Sequence, residues 1–297
     1  MPHPSKRAID ATGRWLVRRW FGTLSRVAPR RAERQAARLV LTPRRRTPRD
    51  PVVSGVTARP LQLEAAGHAI AGWSWGAGPT VLLVHGWSGR AADLAPVAAG
   101  LVAAGFRAVA VDMPAHGRSP GRQTSLAEWV VVLPALVAQL GDDGAAGIHA
   151  VVAHSFGAAG VTLALEAGLP ARGAVLLAPA QGPAQFLERI RRFIGLPAAR
   201  HAGMERTLVA AVGRELAYFD AARAAAGLRL PALILHDPAD PEVAWRQAES
   251  IARAWRGSRL VAVEGDGHYG ILRAPHVVRD VVRFVAALRA DAAGATA

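Results

Sequence analysis

Three polar residues carry the combination of groups that nucleophilic catalysis needs. Ser155 lies within VVAHSFGAAG, where small residues flank it on both sides. A serine hydroxyl is a weak nucleophile at neutral pH, so it needs a histidine base and an acidic residue that orients the base. His268 in EGDGHYGIL can supply the base, and DPADPEV offers Asp240, with Asp237 as the alternative acid. These residues predict acyl transfer in which Ser155 attacks, His268 takes the proton and Asp240 orients the imidazole.

The sequence around the serine predicts a sharp turn from a strand into a helix. A strand over Val151–Ala153 leads directly into a helix that begins near Phe156. Such a turn strains the backbone of its central residue, and only small residues fit two positions away on either side. Ala153 and Gly157 occupy these positions, so we expect an exposed hydroxyl beside a helix N-terminus. The alternative is a serine that only caps the helix.

The backbone near the serine offers donors for an oxyanion. Negative charge develops on the carbonyl oxygen in the transition state of acyl transfer, and N–H groups stabilise it. The N–H of Phe156, at the start of the helix, can supply one donor. The loop after an early strand, VLLVHGWSGR, can supply the second, because Gly86 permits a turn there and Trp87 follows it. The predicted oxyanion hole therefore consists of Trp87 and Phe156.

Other polar residues near the strand ends are interpreted as structural. We expect His85 and His236 to form hydrogen bonds, Asp112 and His116 to stabilise their own loop, and His154 to point away from the serine. The histidines lack the paired spacing of metal ligands, and the chain has no cysteine. A thiolate metal site, a disulfide and a cysteine nucleophile are therefore excluded, and we expect neither a metal nor a cofactor.

Apolar runs alternate with helical segments from about residue 60 onward. The strands are predicted in TVLLVHG, RAVAVD, IHAVVAH, GAVLLAPA, PALILHD and RLVAV. LQLEAAGHAIAGWSW is predicted to form a hairpin with Gly67 and His68 at its turn. Strands that alternate with helices of this length indicate βαβ units and a mostly parallel sheet flanked by helices. Each candidate catalytic residue follows the end of a strand, which is where open parallel sheets bind ligands.

Residues 181–229 interrupt this alternation with a long stretch between two strands. QFLERIRRFIGL and MERTLVAAVGRELAYFDAARAAAG have helical patterns, so we predict an inserted helical lid. Apolar residues of the lid and of two loops are candidates for a substrate pocket, and lid packing is the alternative for each; they are Trp87, Met113, Phe186, Ile190 and Phe193. If they line the pocket, the substrate is a small molecule whose acyl group is largely apolar.

Residues 1–59 are predicted to form a basic N-terminal arm. The net charge of the chain is +14, and residues 1–60 hold 15 Lys or Arg against 3 Asp or Glu. A helix with one apolar face fits residues 14–41, with a break near Pro29, and a proline-rich linker follows. This helix can lie on an anionic membrane surface or pack against the neighbouring domain or a partner chain. No nucleic-acid partner is expected, because charge alone is weak evidence for one.

Two further expectations concern the rest of the chain. The lid at 181–229 divides a core that comprises residues 60–180 and 230–297. No apolar run reaches the length of about 18 residues that a membrane span needs, and the N-terminus lacks the pattern of a signal peptide. We therefore expect a cytoplasmic protein, with peripheral membrane contact through residues 14–41 as the open alternative.

Five segments resemble the successive signatures of the α/β-hydrolase superfamily. They are HGW, DMPAHGRS, AHSFG, HDPADPEV and GDGHYGIL, and the resemblance covers about residues 60–290. It is similar to the serine-nucleophile, esterase- and lipase-like branch with a helical lid. The chain departs from the usual pattern at Ala153 and Ala115, where that pattern has glycine. The resemblance implies the α/β-hydrolase fold and a cofactor-free triad of Ser155, Asp240 and His268, but no particular substrate.

The function predicted on this basis is hydrolysis of an ester, thioester or related acyl bond. The same triad could instead serve carbon–carbon bond hydrolysis, perhydrolysis or acyl transfer, because these reactions differ in pocket shape rather than in the triad. A non-catalytic binding protein on the same fold is an alternative from another class. The three triad residues argue against it, since such a protein needs none of them.

Overall fold

The protein, described by a computed structural model over residues 4–53, 55–141 and 147–294, consists of two compact units. A helical unit comprises Met1–Pro43 and Gly182–Tyr218, and a sheet unit comprises Arg44–Gln181 and Phe219–Ala297. The units therefore divide the chain after residues 43, 181 and 218, whereas the sequence analysis places its boundaries after residues 59, 180 and 229.

In the described part of the sheet unit, eight strands form one sheet in the order β1-β2-β4-β3-β5-β6-β7-β8. The strands are β1 Arg59–Ala65, β2 His68–Trp75, β3 Thr80–Val84, β4 Arg107–Val111, β5 Ala150–His154, β6 Ala174–Leu177, β7 Ala232–His236 and β8 Ser258–Ala262. The two pairings of β2 are antiparallel, and all the others are parallel. Strands β3, β5 and β7 are buried along their whole length, as expected where helices cover both faces of a sheet. The predicted fold class, a mostly parallel sheet flanked by helices, is confirmed.

The predicted hairpin is formed by β1 and β2, with its turn one residue earlier than expected. Ala66 and Gly67 are the two residues between the strands, and their φ angles are +50° and +78°. Positive φ at both central residues is the type I′ geometry, whose twist matches that of the flanking strands. The sequence analysis places the turn at Gly67 and His68, but His68 already pairs with Ala65.

Helices follow most strands of the sheet unit and cover its faces. They are α3 Ala95–Ala103, α4 Leu126–Leu140, α5 Phe156–Glu166, α8 Ala221–Ala225, α9 Trp245–Ala254, α10 Gly267–Gly270 and α11 Pro275–Gly294. One side of the sheet packs against α3 and α11, through residues such as Leu101, Val277 and Val281. Helix α5 is almost completely buried, and it contacts β5, β3 and α4.

The helical unit joins the N-terminal arm to the insertion in one apolar core. Its long helices are α1 Pro4–Val27, α2 Pro29–Leu41, α6 Pro183–Ile194 and α7 His201–Val212. The arm contributes Phe21, Ala32, Ala36, Ala37 and Val40, and the insertion contributes Leu187, Ile194, Leu196, Met204 and Leu208. Each large side chain buried here stabilises the unit by about 1.5–3 kcal/mol. The arm therefore provides about half of this core.

Gly203 of α7 leaves room for the carboxyl group of Glu33 of α2 within this unit. A Cβ added to Gly203 of α7 would lie 2.1 Å from the carboxyl carbon of Glu33 of α2. Glu33 also forms an ion pair with Arg200, at 3.7 Å. Ala28 separates α1 from α2, and Pro29 begins the second helix, where its missing N–H costs no hydrogen bond. The break predicted near Pro29 is thus present.

The segment between β6 and β7 is helical, as predicted. Whether that segment acts as a lid stays a prediction.

No helix within the described ranges combines the length and the apolar character that a membrane crossing requires.

Candidate active site

Ser155 occupies a strained turn between β5 and α5. Its φ and ψ are 53° and −118°, a region that costs a non-glycine residue of the order of 1–3 kcal/mol. The Ser155 N–H donates to the carbonyl of Leu177, and the Ser155 carbonyl accepts from the N–H groups of Ala158 and Ala180. These bonds hold the strained residue on three sides. Ser155 is only 9% exposed, which is less exposure than the turn predicts for its side chain.

Two glycines leave the space that this turn needs. A Cβ added to Gly157 would lie 2.3 Å from the carbonyl oxygen of His85, which is backbone and cannot move aside. A Cβ added to Gly86 would lie 2.9 Å from Cβ of Ser155. The requirement for a small residue two positions after the serine is therefore steric. The loop after β3 lies directly against Ser155.

The structure brings Ser155, His268 and Asp240 together in one hydrogen-bonded chain. His268 Nε2 lies 2.9 Å from Ser155 Oγ, and His268 Nδ1 lies 2.7 Å from Asp240 Oδ2. Because the carboxylate can only accept, Nδ1 carries the proton and donates it to Asp240. Nε2 is then free of a proton and accepts a hydrogen bond from the serine hydroxyl. All three residues are buried, and they follow β5, β7 and β8 at the carboxyl edge of the sheet.

Asp240 is the acid that contacts the histidine, and its second oxygen is also occupied. Asp240 Oδ1 accepts from the N–H groups of Glu242 and Val243, at 2.7 and 3.1 Å. Burial raises the pKa of Asp240, but the hydrogen bond and charge of His268 and the two backbone bonds outweigh it and leave the pKa lowered. The carboxyl group is therefore ionised, as an orienting group for an imidazole must be.

Asp237 occupies a different place in the same loop. Its Oδ2 accepts the N–H of Gly267 at 2.6 Å, and its Oδ1 accepts the N–H of Ala239 at 2.8 Å. The hydrogen bond from the Gly267 N–H, the larger contribution, and that from the Ala239 N–H together lower the pKa of Asp237. Asp237 therefore ties the loop after β7 to the residue that precedes His268, and it makes no hydrogen bond to the imidazole among the bonds described.

His154 contacts the backbone of the candidate base, a role that the sequence analysis missed. His154 Nε2 lies 2.8 Å from the carbonyl oxygen of His268, so it carries a proton and donates it. The two imidazole rings have centroids 4.7 Å apart. Burial, together with the nearby His268, lowers the pKa of His154 to about 3. The His154 side chain therefore holds the backbone of His268 rather than only filling space. The only sequence signal is its position directly before Ser155.

Both predicted oxyanion residues belong to segments that adjoin the serine. Phe156 is the first residue of α5, and Trp87 follows Gly86 in the loop after β3. Their rings are 5.0 Å apart and meet edge to face. Both rings also contact Trp129 of α4, at 6.5 and 5.7 Å from Trp87 and Phe156. Trp129, which the sequence analysis did not single out, thus completes an aromatic cluster beside the serine.

His85 and His116 are locked in their neutral forms by the loops that they hold. His85 Nδ1 donates to the Gly86 carbonyl, while Nε2 accepts the N–H of Met113. His116 Nδ1 donates to the Pro114 carbonyl, while Nε2 accepts the N–H of Ser88. A second proton on either ring would face an N–H group. Burial accordingly lowers the pKa of His85 to about 4 and that of His116 to about 3.

Asp112 stabilises the same loops, as the sequence analysis expects. Its carboxylate accepts the N–H groups of Ala91 and Arg118, at 2.7 and 2.8 Å. A Cβ on Gly117 would lie 2.0 Å from this carboxylate, so only glycine fits there. Ala115 adopts φ +63°, which is the left-handed conformation that favours glycine. The family pattern has glycine at this position, and the chain accepts the strain of alanine.

The stretch after the arm is tied to the candidate site rather than loose. The N–H of Arg44 donates to Ser88 Oγ at 2.9 Å, next to the predicted oxyanion residue. Arg45 donates to the carbonyl of Ser119 at 3.0 Å, and Arg46 pairs with Asp93 at 2.7 Å. Residues 44–46 therefore brace the loops after β3 and β4. The sequence analysis treats this stretch as linker because its prolines indicate an extended segment.

The five predicted pocket residues fall in different places. Trp87 belongs to the aromatic cluster, and Met113 follows β4 with a fully buried side chain. Phe186 and Ile190 pack against the core of the helical unit, and Phe193 is 40% exposed. Their contribution to a substrate pocket stays a prediction, and so do the catalytic roles of the triad and oxyanion residues.

Buried neutral histidines make the stability of the protein sensitive to mild acid. His85, His116 and His154 have lowered pKa values in the folded chain, whereas a histidine in the unfolded chain titrates near 6.5. Below about pH 6.5 the unfolded state therefore binds more protons, and the free energy of unfolding falls as the pH falls. Each such histidine contributes a loss of about 1.4 kcal/mol per pH unit until its folded pKa is reached.

Urea unfolding at pH 7.5, 6 and 5 tests this dependence. We expect a loss of about 2 kcal/mol between the first two values, where the unfolded histidines begin to bind protons, and of about 3–4 kcal/mol between the last two. Asp112, whose pKa is raised by burial, acts in the opposite direction at lower pH. A His116→Gln variant should show a smaller dependence. An unfolding free energy that is constant from pH 7.5 to 5 would contradict neutral buried histidines.

Comparison with known proteins relates the chain to one family. Residues 81–281 match the sequence profile of a family described as the alpha/beta hydrolase family. This range contains Ser155, Asp240 and His268, together with the loops that hold Trp87 and Met113. No curated protein matches the chain.

Several solved structures, esterases among them, share the fold. An esterase of Pyrococcus furiosus has a TM-score of 0.64 at 18% identity, with 82% of this chain and 97% of that one covered. Est1E of Butyrivibrio proteoclasticus, solved with ferulic acid, has a TM-score of 0.61 at 18% identity and coverages of 77% and 99%. The naproxen esterase of Bacillus subtilis has a TM-score of 0.60 at 15% identity, and 77% of this chain and 92% of that one are covered. At these identities the likeness establishes the predicted fold.

Proposed function

The chain belongs to the alpha/beta hydrolase family, and we propose that it is a serine hydrolase that cleaves an ester, thioester or related acyl bond. One observation carries the proposal. The hydrogen-bonded chain from Ser155 Oγ through His268 to Asp240 has distances of 2.9 and 2.7 Å, and it starts at a serine in a strained turn. A helix-capping serine needs neither the strain nor the histidine, and Ser155 forms no side-chain cap bond.

In the proposed reaction, Ser155 Oγ attacks the carbonyl carbon while its proton passes to His268 Nε2. The imidazolium that forms is stabilised by ionised Asp240, whose hydrogen bond also keeps Nδ1 protonated. The tetrahedral intermediate collapses, and His268 returns the proton to the leaving alcohol or thiol. Water then attacks the acyl-serine, again with His268 as base, and releases the acid and the free serine.

The N–H groups of Trp87 and Phe156 are proposed to hold the oxyanion. Phe156 lies at the N-terminus of α5, where backbone N–H groups point outward and the helix dipole favours negative charge. The close approach of Gly86 to Ser155 supports the placement of the second donor, since Trp87 is the next residue. Removal of one such donor typically lowers kcat by about 10²–10³-fold.

An apolar acyl group is the proposed substrate class. The rings of Trp87, Phe156 and Trp129 form a continuous aromatic cluster next to the serine. Similar structures from Pyrococcus furiosus and Bacillus subtilis are those of esterases, and Est1E of Butyrivibrio proteoclasticus was solved with ferulic acid, an aromatic acid, bound. Met113, Phe186, Ile190 and Phe193 are retained as candidate pocket residues. No metal or cofactor is required by this reaction.

The direct test is covalent labelling by a fluorophosphonate, followed by intact mass and peptide mapping. We expect a single adduct on Ser155, together with hydrolysis of p-nitrophenyl acetate, butyrate and octanoate whose rates rank the acyl length. An adduct without any ester hydrolysis would assign the triad to another bond. A folded protein whose mass does not change would leave a non-catalytic binding protein as the better explanation.

A cytoplasmic location is proposed with this function. The absence of cysteine is compatible with a reducing compartment, although it does not require one. Fractionation of cells that express the full chain is expected to place it in the cytoplasm or on the cytoplasmic face of a membrane. Recovery in an extracytoplasmic fraction would contradict this.

A further inference from the structure

Helix α1 has a buried face and an exposed apolar face. Phe21 and Ser25 are buried, and Phe21 belongs to the core of the helical unit. Leu16, Trp20 and Val27 are 56%, 51% and 74% exposed. Steps of four and seven residues place these three side chains on one strip of the helix. We call them the exposed stripe. The apolar residues predicted to form one face thus divide between the interior of the unit and its surface.

The exposed stripe is bordered by cationic and aromatic side chains. Arg19 and Arg26 lie along one side of it, and the Arg19 guanidinium stacks 4.9 Å from the ring centroid of the exposed Trp15. Residues 12–41 contain eight arginines and one acidic residue, Glu33. That acid lies 3.7 Å from Arg200. The segment that carries the stripe is therefore strongly positive, and the one carboxylate within residues 12–41 is already paired.

The helix that carries the stripe is held in place by its other side. Phe21 lies in the apolar core, and Arg18 donates to the carbonyl of Arg192 of α6 at 2.7 Å. Arg14 lies over the ring of Phe193, at 5.7 Å from its centroid. Because α1 is already a helix packed within its unit, a partner that binds the stripe does not have to order it first.

We propose that the exposed stripe docks the helical unit onto an anionic lipid surface. A narrow apolar strip between arginines matches the boundary between acyl chains and phosphate headgroups, and tryptophan favours that depth. Arginine side chains can extend along the strip and bind phosphate while their stems remain in apolar surroundings. A nucleic acid would use the charge but leave the exposed leucine, tryptophan and valine in water.

Docking through α1 also orients the insertion. Helices α1 and α6 belong to one compact unit, and they are joined by the Arg18–Arg192 bond and by the shared core. A lipid surface that binds the stripe therefore fixes the direction of α6 and α7 relative to the membrane. This inference is independent of the chemistry proposed at Ser155.

Flotation of the full chain with vesicles tests the proposal. The vesicles consist of phosphatidylcholine alone or of phosphatidylcholine mixed with an equal amount of phosphatidylglycerol. We expect binding to the anionic vesicles that weakens at high salt, and much less binding to the neutral ones. A Leu16→Glu, Trp20→Glu variant should bind the anionic vesicles at least about tenfold more weakly, because it replaces apolar side chains with repelled charges.

A matched control separates this effect from added negative charge in general. Val131 on α4 of the sheet unit is 54% exposed, and Val131→Glu should bind the vesicles within about twofold of the wild type. Circular dichroism and thermal melting establish that both variants are folded. Equal flotation of the stripe variant and the wild type, or no flotation of the wild type, would overturn the proposal. So would a wild-type dimer that the stripe variant alone dissociates, since the stripe would then bind a second copy.

Discussion

Replacement of Ser155 with alanine is expected to lower kcat/KM for p-nitrophenyl butyrate by about 10⁴-fold or more. The Oγ atom is the group within 2.9 Å of His268 Nε2, and no acyl-enzyme can form without it. His268 and the proposed backbone donors remain, so any residual activity is expected to come from water attack on substrate held by those donors. Stopped assays with both proteins at equal concentration, after circular dichroism shows equal folding, measure the ratio.

A second serine provides the matched control for this variant. Ser258 is the first residue of β8, so it lies at the amino end of its strand. Ser155 follows the carboxyl end of β5. Ser258→Ala loses a side-chain bond to the carbonyl of Ala252 but nothing at the site. We expect its kcat/KM to stay within about twofold of the wild type. If the purified Ser155→Ala protein itself still hydrolyses the ester at a rate near that of the wild type, the serine is not the nucleophile.

The second large effect is expected from Asp240→Asn, with a fall in kcat of about 10⁴-fold. An asparagine amide can donate to His268 Nδ1, which would reverse the tautomer and place the proton on Nε2. The imidazole could then no longer accept the serine proton. The amide would also lose the negative charge that stabilises the imidazolium. Binding of substrate should change little, so the loss should appear in kcat rather than in KM.

Asp237→Asn is the matched control, because it makes the same chemical change three residues earlier. Asp237 contacts the N–H groups of Gly267 and Ala239 instead of the imidazole. Its replacement weakens the hydrogen bonds that hold the loop carrying His268. We therefore expect kcat to fall by about tenfold or less, with some loss of stability. A kcat that is normal in Asp240→Asn and abolished in Asp237→Asn would transfer the orienting role to Asp237.

Several features of the site follow from residues that are neighbours in sequence. The turn at Ser155 is one of them, since Ala153 and Gly157 are the small residues that a strand-to-helix turn requires. The alternation of apolar runs with helices is another, and it predicts the sheet and its carboxyl edge. Parallel strands align their carboxyl ends, so residues that follow β5, β7 and β8 must lie near one another.

The choice between Asp237 and Asp240 needed three-dimensional information. The two carboxyl groups are three residues apart in one loop, and both follow the same strand. The loop conformation turns one of them toward the Gly267 N–H and the other toward the imidazole. The hydrogen bond from His154 to the His268 carbonyl joins two segments that are distant in sequence, so no local pattern predicts it.

The sequence by itself determined the elements whose signals are local: the buried strands, the turn at Ser155 and the helical nature of the arm and the insertion. The tertiary structure decided that the arm and the insertion share one core, with Phe21 inside and Trp20 outside. The physical reason is that burial of apolar surface is favourable but not directional. An apolar helix face predicts that something covers it, and only the packed chain shows which part is covered and by which distant residues.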